Sequence, residues 1–174
     1  HVVRVFKEGA SPFEVRLEVA GGQHRVVEPV RMALRRSGRL KVTERSGAKA
    51  DVYVDGALVG TTPWEGSLEP GGHMAVLRTS DGRGTAPVRA PVRLDDVTVL
   101  TLGVEPLDCR LSVRPVPASA MVALDGVDVG RGVYEGLLPC GAHMVEVAAE
   151  GFVPARRRVS LEKSRAASER VELD

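Results

Sequence analysis

Residues 61–76 read TTPWEGSLEPGGHMAV, and residues 131–146 read RGVYEGLLPCGAHMVE. The two stretches align without a gap, and the match extends upstream. Asp55/Asp125, Gly56/Gly126, Gly60/Gly130, Trp64/Tyr134, Glu65/Glu135, Gly66/Gly136, Gly71/Gly141 and His73/His143 all fall at one constant offset of seventy residues. A constant offset over so many positions marks a duplicated fold unit. Whatever the acid, aromatic and histidine do in one copy, they do again in the other.

The punctuation follows from backbone physics. In VYVDGALV, residues 52–59, Val52 and Val54 alternate with outward positions at the strand period. Asp55-Gly56 is a favoured pair for a two-residue hairpin turn, whose central residues both need positive φ. Gly60 and Gly130 close the hairpins, Pro63 cannot donate to a ladder and sets a bend, and PGGH or CGAH turns the chain into the next strand. In HMVEV, alternation puts His143, Val145 and Val147 on one face, the expected inner one.

Composition agrees. Glycine occurs 19 times and proline 11 times, valine is abundant, and aromatics make up only 3% of the chain, the texture of short strands joined by tight turns. A net charge of +1, from 24 basic and 23 acidic residues, gives no electrostatic reason to expect nucleic acid or insertion into an anionic membrane. No apolar run reaches bilayer-spanning length, and the start, HVVRVF, carries no signal-peptide pattern. The 174 residues accommodate one ordinary domain or two to three small ones, and the repeat favours the small ones. The expected fold is all-β, a tandem array of small β-sandwich-like modules, two complete and one partial.

The complete units are placed at 40–107 and 108–174, and a fainter copy at 1–39. In the last, GASPFEVRLEVAGGQH, residues 9–24, follows the same pattern, with Phe13, Glu14, Leu17 and His24 in the places of Trp64, Glu65, Leu68 and His73. This copy is shortened after His24, and its first strand is expected to lie upstream of His1. A sandwich lacking strands exposes unpaired backbone groups. Val3, Val5, Val30 and Met32 are therefore the candidate interaction edge, on which a strand from outside the unit would pair.

TPWEG with LEPGGHMAV, and VYEG with LPCGAHMVEVAAEGF, resemble the PEGA domain, a small β module of bacterial and archaeal envelope and surface proteins. The shared elements are the strand-DG-strand hairpin, the G-x-TP turn, the leucine before P-G-x-H, and a Gly-aromatic pair, here Gly151-Phe152. Unit one departs there, with Asp81, Gly82 and Arg83 in SDGRGTA, which suggests a longer hairpin. The resemblance implies an extracytoplasmic β-sandwich-like fold in a bacterial periplasm, envelope or exterior, and no catalytic residues.

The chemistry-bearing residues have plainer readings. His24, His73 and His143 sit at equivalent places in different units, and neither cysteine has zinc-site spacing, so no metal or other cofactor is expected. A histidine bonded to a neighbouring turn carbonyl suffices. Glu14, Glu65, Glu135, Asp55 and Asp125 could equip a glycosidase. An acid at a tight turn more commonly accepts backbone N–H bonds, and no nucleophile elbow or metalloprotease helix accompanies them, so catalysis is not expected. Phe13, Trp64 and Tyr134 read as core plugs, with sugar-stacking platforms as the alternative. Cys109 and Cys140 fall in one unit, which suggests a bridge within it, the alternative being two reduced thiols. The function expected is that of a non-catalytic spacer or protein-interaction arm in an envelope assembly, binding other envelope proteins by strand or surface contacts. The alternatives are a ligand-sensing ectodomain and a polysaccharide- or wall-binding module.

Overall fold

A computed structural model describes residues 1–5, 13–27, 37–163 and 165–174, and its elements are all strands. Val30 and Met32 of the candidate edge lie outside these residues. The N-terminal strands are β1 (Val2–Val5) and β2 (Phe13–Arg16). The next nine are β3 (Gly38–Glu44), β4 (Asp51–Val54), β5 (Ala57–Thr61), β6 (Trp64–Leu68), β7 (Gly71–Arg78), β8 (Arg83–Gly84), β9 (Val88–Val92), β10 (Val97–Leu102) and β11 (Glu105–Pro106). The last seven are β12 (Cys109–Val116), β13 (Met121–Leu124), β14 (Val127–Arg131), β15 (Tyr134–Leu138), β16 (Gly141–Ala148), β17 (Ala155–Leu161) and β18 (Ala167–Glu172).

The repeat in sequence is a repeat in strand order. Residues 38–106 form one sheet ordered β10-β3-β6 and a second built on β7-β4-β5, with β9 also pairing β7. Residues 109–172 form β15-β12-β18 and β14-β13-β16-β17. In both, the central strand of the three-stranded sheet pairs antiparallel on one side and parallel on the other. Each module has its own core. Leu40 and Val42 of β3 meet Val52 and Val54 of β4 and Ala75 and Leu77 of β7, while the intervening Arg39 and Lys41 face water. In the second module Leu111, Val113, Val122, Leu124, Val145 and Val147 take those places. Burial alternates along β16 as the sequence suggested, with His143, Val145 and Val147 inside. Where unit one carries Asp81-Gly82, the longer hairpin adds β8, which pairs β7 and β11.

The register of the N-terminal pair corrects one expectation. Val5 faces Phe13 and Val3 faces Val15, just as Val42 faces Trp64 and Leu40 faces Gly66. The strand VVRV thus occupies the first-strand position itself rather than following a lost one. The seven residues between β1 and β2 carry no DG pair in sequence, where β4 and β5 intervene in unit one. Val3 and Val5 remain exposed at 39% each, on a strand that has β2 on one side and, among the described residues, no strand on the other.

Cys109, at the head of β12, is disulfide-bonded to Cys140 in the turn before β16, a separation of 31 residues. Unit one has Gly38 and Pro70 there. A Cβ on Gly38 would overlap the backbone carbonyl of Arg93, so that edge admits no side chain and hence no bridge. Unit one ties its other end instead. The Glu44 carboxylate accepts from Ser46 N at 2.7 Å and Ala48 N at 3.1 Å, and more distantly from Val104 N at 3.5 Å. The Ser46 hydroxyl above all, with these amides, outweighs burial and holds the Glu44 pKa down to about 2.

The bridge closes its loop in the unfolded state as well. Cys109→Ser with Cys140→Ser should cost about 3–4 kcal/mol of module-two stability on the chain-entropy model. Thermal melts check the cost, and intact mass after alkylation without reductant should show no free thiol.

Candidate functional site

The motif residues assemble twice into the same clasp. Asp55 and Asp125 begin the DG turns at φ 50° and 52°, with Gly56 and Gly126 following at 81° and 80°. Asparagine and aspartate tolerate the left-handed region better than most residues, so the turn favours an acid there. That conformation presents the carboxylate to the neighbouring strand. Asp55 Oδ1 accepts from Met74 N at 2.8 Å, and Asp55 Oδ2 lies 2.6 Å from His73 Nδ1. Asp125 Oδ1 and Oδ2 do the same with Met144 N at 2.7 Å and His143 Nδ1 at 2.7 Å. The backbone adds Asp55 N to Met74 O and Asp125 N to Met144 O.

Each histidine completes the clasp on its far side. Nε2 lies 2.8 Å from Glu69 O in unit one and 2.9 Å from Pro139 O in unit two, the carbonyls four residues back in the same turn. Both ring nitrogens therefore face acceptor oxygens. At His73 the bond to the Asp55 carboxylate, then that to the Glu69 carbonyl, raise the pKa above the ordinary 6.5. Burial pushes the Asp55 pKa up, but the bonds from His73 and the Met74 amide outweigh it and leave it below the ordinary 3.8. The carboxylate partner escapes a reading of the sequence because eighteen residues separate Asp55 from His73. The recurrence of both at one offset is the signal that could have linked them.

His24 sits exposed in coil. The sequence between β1 and β2 contains no aspartate to stand in the place of Asp55.

The aromatics lie on the sheet surface over glycines. Trp64 is half-buried against the first core, and a Cβ on either Gly60 or Gly66 would overlap its indole. Tyr134 packs against the second core, its ring over Gly136, and burial raises its pKa. Ring and glycine stand two residues apart on one strand face, so the missing side chain makes the bed for the ring. The glutamates between them point the other way. Glu65 pairs with Arg39 at 2.9 Å, Glu14 with Arg4 at 2.6 Å, and Glu135 lies 3.5 Å from Ser112 Oγ. Glu14, Glu65 and Glu135 thus each lie against a partner within their own unit. Pro63 precedes β6, Gly71 and Gly141 open β7 and β16, and Gly130 lies near the end of β14, the three glycines at positive φ. Gly151 turns the chain between β16 and β17 at φ 82°, and Phe152 beside it is 42% exposed, outside the core. Among the described residues no group of three or more His, Cys, Asp or Glu could hold a metal.

The modules meet at the first clasp. Only Leu107 and Asp108 separate β11 from β12. Ala86, in unit one, packs on the second core. Val127, at the tip of the second DG hairpin, is 6% exposed. Its counterpart Ala57 is exposed, so Val127 owes its burial to the neighbouring module. A cleft of about 320 Å³ runs along this seam, lined by Asp55, His73, Met74 and Arg89 on one side and by Val127 and Asp128 on the other.

Fold and site together define an all-β array of small sandwiches whose polar motif residues bind their own turns. Residues 109–174 match the family model of the PEGA domain. Among solved structures, the chain is similar to the Bacillus anthracis TIE protein, at 17% identity and a TM-score of 0.33. The match covers 79% of this chain and 33% of that one, so the chain spans about a third of the length of that structure. No curated protein matches the chain.

Two tests follow from this geometry. Gly66→Ala should destabilise module one in the wild-type background and far less in Trp64→Ala, which alone should cost about 2–3 kcal/mol, below a fully buried ring. A double-mutant melting cycle measures the coupling. For the clasp, the His73 contribution is complete below the imidazole's unfolded pKa and is lost as pH rises through its raised folded value. The Asp55 contribution is complete above the carboxylate's unfolded value and is lost as pH falls through its lowered folded one. Melting of module one should therefore weaken on going from mildly acidic to alkaline pH, and Asp55→Asn should flatten that slope.

Proposed function

We propose that the chain is a non-catalytic spacer or protein-interaction arm, held outside the cytoplasm and built to present its surfaces at a fixed spacing. The observation that carries this reading is the seam. A two-residue connection, the seated Val127 and Ala86, and a shared cleft leave little freedom between the modules. Commitment of Asp55, Asp125, His73 and His143 to turns supports a structural role for the motif. The disulfide supports an oxidising compartment, since such bridges are kept reduced in the cytosol. No helix among the described residues is long and apolar enough to cross a membrane. The PEGA match at 109–174 supports the reading as a β module, and on this proposal its partners are other envelope proteins. On this reading residues 38–106, which share the strand order, are a second module of the same kind.

Trp64 and Tyr134 lie across glycines and against cores, which disfavours the polysaccharide alternative, because a stacking platform needs a free ring face. Rigidity is the property to measure. Backbone relaxation should give both modules one rotational correlation time, and Val127→Asp should split it while leaving module-two melting nearly unchanged. Independent tumbling of the wild-type modules would remove the rigid-spacer reading. Retention on peptidoglycan or another glycan that is lost in Trp64→Ala or Tyr134→Ala, with melting unaffected, would replace it with the wall-binding one.

A further inference from the structure

The two modules differ most at the outer strand of the three-stranded sheet. In module two that strand is β18, ASERVE, whose outward positions are Ser168, Arg170 and Glu172, with Arg170 bonded to Glu172 at 2.8 Å. In module one it is β10, VTVLTL, with no charged residue at all. Its outward positions are Val97, Val99 and Thr101, and Val97 and Val99 are 38% and 59% exposed. Charges on an edge strand are a common defence against pairing with another chain. β18 has that defence and β10 does not.

The backbone of β10 shows which groups are on offer. Asp96 O and Leu102 O accept from Arg39 N and Arg45 N of the β3 side, so the even-numbered residues face β3. The odd-numbered ones face away. Val97 N is taken by Asp96 Oδ1 at 2.8 Å. The N–H and C=O of Val99 and Thr101 and the C=O of Val97 have no strand partner among the described residues, since β10 ends its sheet.

We infer that β10 is a docking edge for a second copy of this chain, paired antiparallel about a two-fold axis at Val99. An antiparallel pair exchanges both bonds at alternate residues, which the outward groups of Val99 supply symmetrically. The same axis sets Val97 against Thr101 of the other copy, so the exposed side chains form an uncharged patch. The ends are complementary in charge. Asp95 and Asp96 stand before β10, and Arg45 lies against Gly103 after it, so antiparallel copies bring acid to base at both ends. Self-pairing of β18 would instead crowd Arg170 and Glu172 groups already bonded to each other. The contact yields one continuous six-stranded sheet, β6-β3-β10 joined to its equivalent. One strand pair buries less than a standard interface, so association is weak and belongs in the micromolar to millimolar range.

The full chain should show a reversible monomer–dimer equilibrium in sedimentation over that range, and Val99→Lys with Thr101→Arg, which puts charge on the module-one edge, should abolish it. Melting of the variant checks that module one is still folded. Hydrogen exchange on the wild-type chain is independent of any variant, and the Val99 and Thr101 amides should gain protection as concentration rises. A chain that stays monomeric throughout would overturn the proposal. So would association that survives the substitutions, or protection that appears at Val3 and Val5 instead.

Discussion

The turn aspartate is the constraint on which each module hangs. A two-residue DG turn forces positive φ on both members, and aspartate is one of the few side chains that tolerates it while carrying two acceptors. Those acceptors reach the amide of Met74 or Met144 and the imidazole of His73 or His143. The imidazole then reaches a carbonyl in the turn before its own strand. One carboxylate thereby fixes the hairpin tip, the first residues of β7 or β16, and the turn that delivers them. The alternation that sends Val145 and Val147 inward starts from His143, so the clasp also sets which face of that strand is the core face.

The sequence carried the fold well where the signals are local. The DG pairs, the two-residue alternation and the constant offset are all contained in short windows, and they give the strands, hairpins and repeat directly. The parallel pairing of β10 with β3 and of β18 with β12 was not legible, because it joins segments more than fifty residues apart with nothing local to mark it. A shorter separation, eighteen residues, hid the carboxylate that each histidine meets. The N-terminal copy misled for a different reason. PFE and PWE each open a strand that pairs with the first strand, but the alignment places the shortfall after His24 and a first strand upstream of His1, whereas β1 already stands where β3 stands in unit one.

The aromatic positions show how a motif can look functional while being sterically determined. Trp64 and Gly66 are two residues apart on one face, and the indole occupies the volume a side chain on Gly66 would need. Tyr134 and Gly136 repeat the arrangement with a smaller ring. A site for a common ligand would hold the ring constant and vary its bed. In the two complete units the glycine two residues on is kept while the ring varies, as packing requires.

Where the modules diverge, they answer the same mechanical problem with different chemistry. A small sandwich must fasten the ends of strands that its core cannot reach. Module one does this with Glu44, whose carboxylate gathers the turn after β3 and the amide of Val104, and module two with the Cys109–Cys140 bridge at the opposite end of the equivalent strand. Neither device transfers. Gly38 has no room for a side chain, and the residue at the Glu44 position is Pro115, which carries no acceptor side chain. Ion pairing likewise guards the outer edge of module two and leaves that of module one bare. The two complete modules therefore share the clasp and the core and differ at their edges and ends.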